Sequence, residues 1–281
     1  MMGNQSSSYG VSRVTAAESE VDVLVEEILR RGYTVADSGL SEGEINRFRQ
    51  LLDDIYTVQQ QEVGGEENLR RINDANVARC LLAYEDAFLS MATNDTILRI
   101  VRRILGENFV LLMQNGVINP PNLRHYQINW HRDLNYQHWV CSRPLALSFL
   151  FCLDPFSSAT GGTHFLAGSH LKEEFPSEAY IRRHEKVVEA SPGAVVIFDS
   201  MTFHRAGQNS SNIVRRAVNH VVGMPILGQQ ISIPDMLQGR YSDDAFLSRF
   251  LGYRWNPRPG VVPWRLQKLR EAEKSQARKV A

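Results

Sequence analysis

Between Phe109 and Val222 the chain is a succession of short β-type runs: Phe109 to Met113, Tyr126 to Trp130, Leu145 to Leu153, Thr163 to Leu166, Ala194 to Phe198 and Arg216 to Val222. Turn formers separate them, namely Pro120-Pro121-Asn122, Gly161-Gly162, Ser191-Pro192-Gly193 and Gly207-Gln208-Asn209. Many short strands punctuated by turns predict a β-sandwich or jelly roll. The preceding region is spaced differently. Val21, Leu24, Val25, Ile28 and Leu29 recur at three- and four-residue intervals, and Ile45, Phe48, Leu51, Leu52 and Ile55 do the same. A third such region runs from about residue 86 to about residue 105, with Leu89, Met91, Ile97, Ile100, Val101 and Ile104 on its apolar side. Ser19 with Asp22, and Ser41 with Glu44, carry the spacing of a capping box, and Gly32 ends the first helix, after which Gly32-Tyr33-Thr34-Val35-Ala36 reads as a short strand. Gln59 to Glu67, with Gly64-Gly65, is expected to be an exposed loop. The fold class expected is mainly β with packing helices: N-terminal helices over residues 19–105, a jelly-roll core over 106–225 and a C-terminal helical segment over 234–281. No linker divides these parts, so they are expected to form one domain behind a flexible polar stretch, 1–18.

Charge narrows the partners. The 31 basic and 31 acidic side chains cancel, which removes the global attraction that nucleic acid or an anionic membrane would exploit. The longest apolar run, Leu145 to Leu153, is too short to span a bilayer and is interrupted by Ser148. Cys80, Cys141 and Cys152 follow no disulfide or zinc spacing. Reduced thiols and the lack of a secretory signal lead to the expectation of a cytoplasmic protein with a small-molecule ligand.

His131 and Asp133 stand two residues apart in a strand-like run, so their side chains are expected on one face, where both can reach a single metal ion. His204, just after the apolar run Val195 to Phe198, is the candidate third ligand. Two imidazoles and one carboxylate on one face of a metal, with the opposite positions open, suit non-haem Fe(II). Gln127 and Asn129 continue the face that carries His131 and are expected to meet a bound ligand. Arg132 should point the other way.

Three ordered segments carry a resemblance: His131-Arg132-Asp133-Leu134-Asn135-Tyr136, then Gly161 to His170, then Pro192-Gly193 leading to His204 and Arg215. Together they resemble the phytanoyl-CoA dioxygenase family, over roughly residues 20 to 255. Ala167 departs from the proline usual in that family before Gly168. The resemblance implies a double-stranded β-helix, Fe(II) held by His131, Asp133 and His204, and 2-oxoglutarate as cosubstrate. It implies further that Arg215 rather than Arg216 holds the distal carboxylate of 2-oxoglutarate; Gln127 and Asn129, from the strand face they share with His131, are expected to meet the cosubstrate or the substrate. The activity implied is oxidation of a C–H bond of a small molecule by O2, commonly hydroxylation, with succinate and CO2 as co-products. The competing reading is a catalytically silent ligand-binding jelly roll, against which the intact set of four residues argues.

Overall fold

The computed structural model describes residues 16–123, 126–134, 138–257 and 260–280, so residues 1–15 of the expected flexible stretch lie outside it. Nine strands are present among the described residues: β1 Tyr33–Asp37, β2 Val77–Arg79, β3 Val110–Asn119, β4 Ala146–Cys152, β5 His164–Phe165, β6 Lys186–Val187, β7 Ala194–Asp199, β8 His204–Arg205 and β9 Arg215–Gly223. They form a six-stranded sheet in the order β1-β7-β4-β9-β3-β2 and a three-stranded sheet in the order β6-β5-β8. Every pairing is antiparallel. The smaller sheet faces the larger one, and helices cover the larger sheet's outer side. This is the jelly-roll core with packing helices.

Alternation along each central strand explains why the large sheet reads as apolar on both faces. On β4, Leu147, Phe149 and Phe151 turn outward into the cluster shared with the helices, while Leu150 and Cys152 turn inward. On β7, Val195 and Ile197 face outward, and Val196 and Phe198 face the smaller sheet. Phe165 of β5 closes the interior, stacked on Tyr33 with ring centroids 4.6 Å apart and edge-on to Phe198 at 5.1 Å.

The first helix, Glu20–Arg31, has its Ser19/Asp22 capping box, and Gly32 ends it in the left-handed conformation at φ 87°. The second, Glu42–Glu62, starts at the Ser41/Glu44 box and lies against β3. Gly116 permits that approach, since a Cβ there would stand 2.0 Å from Leu52 Cδ1. Arg216 fastens the same helix from β9, bonding Asp53 through Nε and Nη2 at 2.8 Å each and Asp154 at 3.1 Å.

Four expectations need correction. The third helical region is two helices, Phe88–Ala92 and Asp95–Leu105, because the Asn94 side chain caps the second by accepting from Ile97 N. The expected loop is largely helical, since Glu42–Glu62 runs into it and a turn at Gly64 and Gly65 leads to the helix Glu66–Arg71. Tyr126 to Trp130 is not a strand: Tyr126–Ile128 forms one turn of 3-10 helix, and pairing resumes only at His131. Both edge strands of the large sheet come from the chain before residue 106: β1 is the short strand expected over Gly32 to Ala36, whereas β2 lies in a stretch where no strand was expected.

Beneath the helices, His220 of β9 is fully buried. Gln114 Oε1 accepts from Leu82 N at 2.7 Å, which commits that amide's orientation. Its NH2 group then donates to Phe88 O at 3.0 Å and to His220 Nε2 at 2.8 Å, so His220 Nε2 must accept. Burial brings the His220 imidazole down to about 3. The depressed value means that the unfolded chain, with an ordinary value of about 6.5, takes up a proton that the fold refuses. This contribution to stability is intact above about pH 6.5 and declines as the pH falls below it, with a limiting slope of about 1.4 kcal/mol per pH unit. Urea unfolding at successive pH values between about 7 and about 5 reads that slope, and His220→Gln, which does not titrate, is expected to flatten it.

Candidate metal centre

His131 and His204 come from distant segments and meet through their backbones. His131 N donates to His204 O at 2.9 Å, and His204 N donates to His131 O at 3.0 Å, an isolated antiparallel bridge. On its other side β8 pairs with β5, Phe165 opposite His204. Asp133 is tied to the large sheet instead, its N–H donating to Ser200 O at 3.0 Å. The Ser148 hydroxyl, on the inner face of β4, donates to Asp133 Oδ2 and lies 2.8 Å from Ser200 Oγ.

These ties bring three metal-binding side chains together. Asp133 Oδ1 is 3.4 Å from His204 Nε2 and 4.0 Å from His131 Nε2, and one ligand atom from each residue lies within 4.8 Å of the other two. Each histidine has Nδ1 2.9 Å from a backbone carbonyl, His131 from Asn129 O and His204 from Thr202 O. That contact assigns the N–H to Nδ1 and leaves the Nε2 lone pair facing Asp133, the tautomer a metal requires. Burial and the nearby His204 push the His131 imidazole down to about 4, against the opposing pull of Asp133. Burial alone would raise the Asp133 carboxyl, but His204, His131 and the Ser148 hydroxyl outweigh it and bring the carboxyl down to about 2. A neutral imidazole and an ionised carboxylate are the forms that ligate, so the donor set fits a divalent ion such as Fe(II). The His131 side chain is 28% exposed, against 8% for His204 and for Asp133, so the cluster opens to solvent on the His131 side.

A cavity leads inward from this cluster, bounded by Val117, Leu150, Phe198 and Ala206 and by the polar Gln127, Thr163, Asn219 and Arg215. Adjacent arginines on β9 face opposite ways. Arg216 turns outward to its two carboxylates, while Arg215 turns into the cavity and is 2% exposed. No ion pair to Arg215 is present among the described residues, and its Nε is buried without a partner. Its guanidinium lies over the Phe156 ring, 4.5 Å from the centroid. Burial brings it down to about 10, with Cys152 and Asp154 opposing the shift. Unpaired buried cations are costly, and a ligand carboxylate would offset that cost.

Gln127 lines the cavity, but Asn129 does not. Its side chain is exposed, because it sits at a bend after the 3-10 turn where strand alternation with His131 does not hold. What Asn129 supplies is the carbonyl facing His131 Nδ1. His164 pairs with Glu185 at 2.9 Å, and His170 Nε2 faces Leu29 O at 3.3 Å, so neither joins the cluster. Asn135, Tyr136 and Gln137 lie outside the described residues. Ser148 and Asn219 were not foreseen as site residues. The signal for Ser148 is a lone hydroxyl at an inward position of an otherwise apolar strand, and that for Asn219 is a polar side chain four residues beyond Arg215 on the same strand face.

The profile of the phytanoyl-CoA dioxygenase family matches residues 28–217. An uncharacterized protein of Mycobacterium tuberculosis is 31% identical over 209 residues, covering 71% of this chain and 74% of that protein. A probable alpha-ketoglutarate-dependent hypophosphite dioxygenase of Stutzerimonas stutzeri is 25% identical over 223 residues, covering 68% and 74%. Among solved structures, EctD from S. alaskensis with 2-oxoglutarate and 5-hydroxyectoine superposes with a TM-score of 0.61 at 17% identity, covering 80% of this chain and 82% of that one. At that identity the likeness concerns the fold.

A divalent ion bound only by the folded cluster must stabilise the protein. At a free concentration about a hundred times the dissociation constant, the gain is about 2.7 kcal/mol. Melting curves with Co(II), or with Fe(II) under anaerobic conditions, are expected to shift upward and return on addition of EDTA. In His204→Ala the shift is expected to vanish. In Ser148→Ala, which leaves the ligands but frees Asp133, metal affinity is expected to fall by about tenfold.

Proposed function

The chain belongs to the phytanoyl-CoA dioxygenase family, and on that footing we propose that it is an Fe(II)- and 2-oxoglutarate-dependent dioxygenase that hydroxylates a C–H bond of a small molecule. The observation that carries this reading is the pairing, in one cavity, of the His131, Asp133 and His204 cluster with a buried Arg215 that makes no ion pair among the described residues. In the reading proposed, His131, Asp133 and His204 hold the metal through Nε2, a carboxylate oxygen and Nε2. Bound Fe(II) supplies the coupling of O2 reduction to oxidative decarboxylation of 2-oxoglutarate, with succinate and CO2 as co-products.

The protein's own part is positioning and exclusion. Ser148 holds the second carboxylate oxygen of Asp133, which fixes the oxygen turned toward the histidines. Arg215 offers a guanidinium to the distal carboxylate of the cosubstrate, and Val117, Leu150 and Phe198 give the path between the two anchors apolar walls beside the polar Gln127, Thr163 and Asn219. Water kept off that path strengthens the Arg215 charge. Gln127 is the remaining proposed contact from the metal loop. All three cysteines are free thiols, which supports a cytoplasmic setting. Among the described residues no helix is long and apolar enough to cross a membrane.

Succinate release in the presence of Fe(II), 2-oxoglutarate, O2 and a library of small molecules tests the reading, with mass detection of a product one oxygen heavier. His131→Ala is expected to abolish release, and equal turnover by that variant would falsify the assignment. Arg215→Gln is expected to raise the half-saturating 2-oxoglutarate concentration by about a hundredfold, roughly the worth of a desolvated bidentate charge pair. The metal-induced melting shift should survive in Arg215→Gln, because its side chain is not a ligand.

A further inference from the structure

Asn219 shares its cavity with the three-residue cluster and with Arg215. It stands on β9 four residues beyond Arg215 and faces the same way, with Leu150 opposite it on β4 and Asn115 opposite it on β3. Its Oδ1 is buried and has no hydrogen-bond partner among the described residues. Asn115, one strand over, is provided for: in its satisfied orientation the amide nitrogen donates to Gln114 O at 2.9 Å and the oxygen accepts from Arg79 Nη1 at 3.0 Å. Of two asparagines paired across the sheet, one is thus anchored by protein and the other lines the cavity with its amide oxygen unpaired among the described residues.

A buried amide oxygen requires a donor, and leaving it without one is penalised. The cosubstrate cannot supply it, because two carboxylates and a ketone only accept. The donor must therefore come from the other occupant of the cavity. Resting on the function proposed above, we infer that Asn219 reads the substrate, its Oδ1 accepting a hydrogen bond from a neutral hydroxyl or amide N–H. The donor is neutral because Asp133 is the one carboxylate among the described lining residues, and it is already engaged by Ser148 and faces two imidazoles. A cationic amine would find no free carboxylate of the protein to pair with, those of the cosubstrate being taken up by Arg215 and the metal. Val117, Leu150 and Phe198 offer the rest of the substrate an apolar wall.

The test uses four probes of similar size: n-hexanol, hexanamide, hexylamine and methyl pentyl ether. Each is titrated against the visible charge-transfer band of the anaerobic complex with Fe(II) and 2-oxoglutarate. The alcohol and the amide are expected to perturb the band at concentrations about ten- to a hundredfold below those needed for the ether and the amine. In Asn219→Leu the alcohol is expected to lose that advantage, and in Asn219→Asp, which keeps an acceptor, to retain it. Equal midpoints for alcohol and ether in the unaltered protein overturn the inference, as does an advantage that survives in Asn219→Leu. A preference for hexylamine, or a band that no probe perturbs, also overturns it. So does a 2-oxoglutarate midpoint in Asn219→Leu that rises by the same factor as that of the alcohol, since the side chain would then serve the cosubstrate. Absence of the band altogether is a different result: it defeats the dioxygenase reading itself. Should Asn219→Leu not fold, the alcohol-to-ether ratio in the unaltered protein and in Asn219→Asp still decides.

Discussion

Two backbone hydrogen bonds between His131 and His204 carry the rest of the site. Neither residue belongs to the large sheet. His204 is on β8 of the smaller one, and His131 joins it by a bridge a single residue long. Asp133, two residues further on, is bound instead to the large sheet through Ser200 and Ser148. The three candidate ligands therefore straddle the seam between the two layers. A metal bound there would join the layers with bonds stronger than the apolar contacts around Phe165 and Phe198, so the site and the closure of the jelly roll depend on each other.

Much of the large sheet was legible because its strands obey simple alternation. Leu145 to Leu153 and Ala194 to Phe198 are buried on both faces, and an uninterrupted apolar run has few other folded uses at that length. Alternation put Arg215 and Arg216 on opposite faces, and the choice between them came from the family resemblance. Where pairing is brief the pattern fails. β2 has only three residues, too few for a period, and it joins the sheet because β3 offers it an edge. Tyr126 to Trp130 has the aromatic composition of a strand, yet the cross-chain backbone bonds near it are one from Ala206 N to Gln127 O and, just beyond the segment, the two between His131 and His204. Tertiary contact, not composition, chose a 3-10 turn there.

The candidate ligands were legible as residue types at a spacing, but their support was not. The carbonyls of Asn129 and Thr202 that orient the imidazoles belong to the backbone, which any residue supplies, so the sequence carries no mark of them. Asn129 was selected for its side chain and contributes its main chain instead. Ser148 did leave a mark, as the hydroxyl that breaks an apolar run, and Asn219 left another. A polar residue at an inward strand position has to be satisfied by something, and here the partners are a ligand carboxylate for one and the cavity for the other.

The contact between Leu52 and Gly116 bears on how enzymes of this shape diverge. Helix and strand meet there with no room for a methyl group, and Arg216 pins the same helix from β9. The strands behind the cavity are thus backed by a wall that cannot yield outward, so enlarging a side chain on the inner face of β3 or β9 subtracts space rather than displacing the sheet. In such a frame room for a bulkier ligand has to be found among the segments that border the His131 side of the opening, while a residue of the sheet floor such as Asn219 changes what is read without moving the wall.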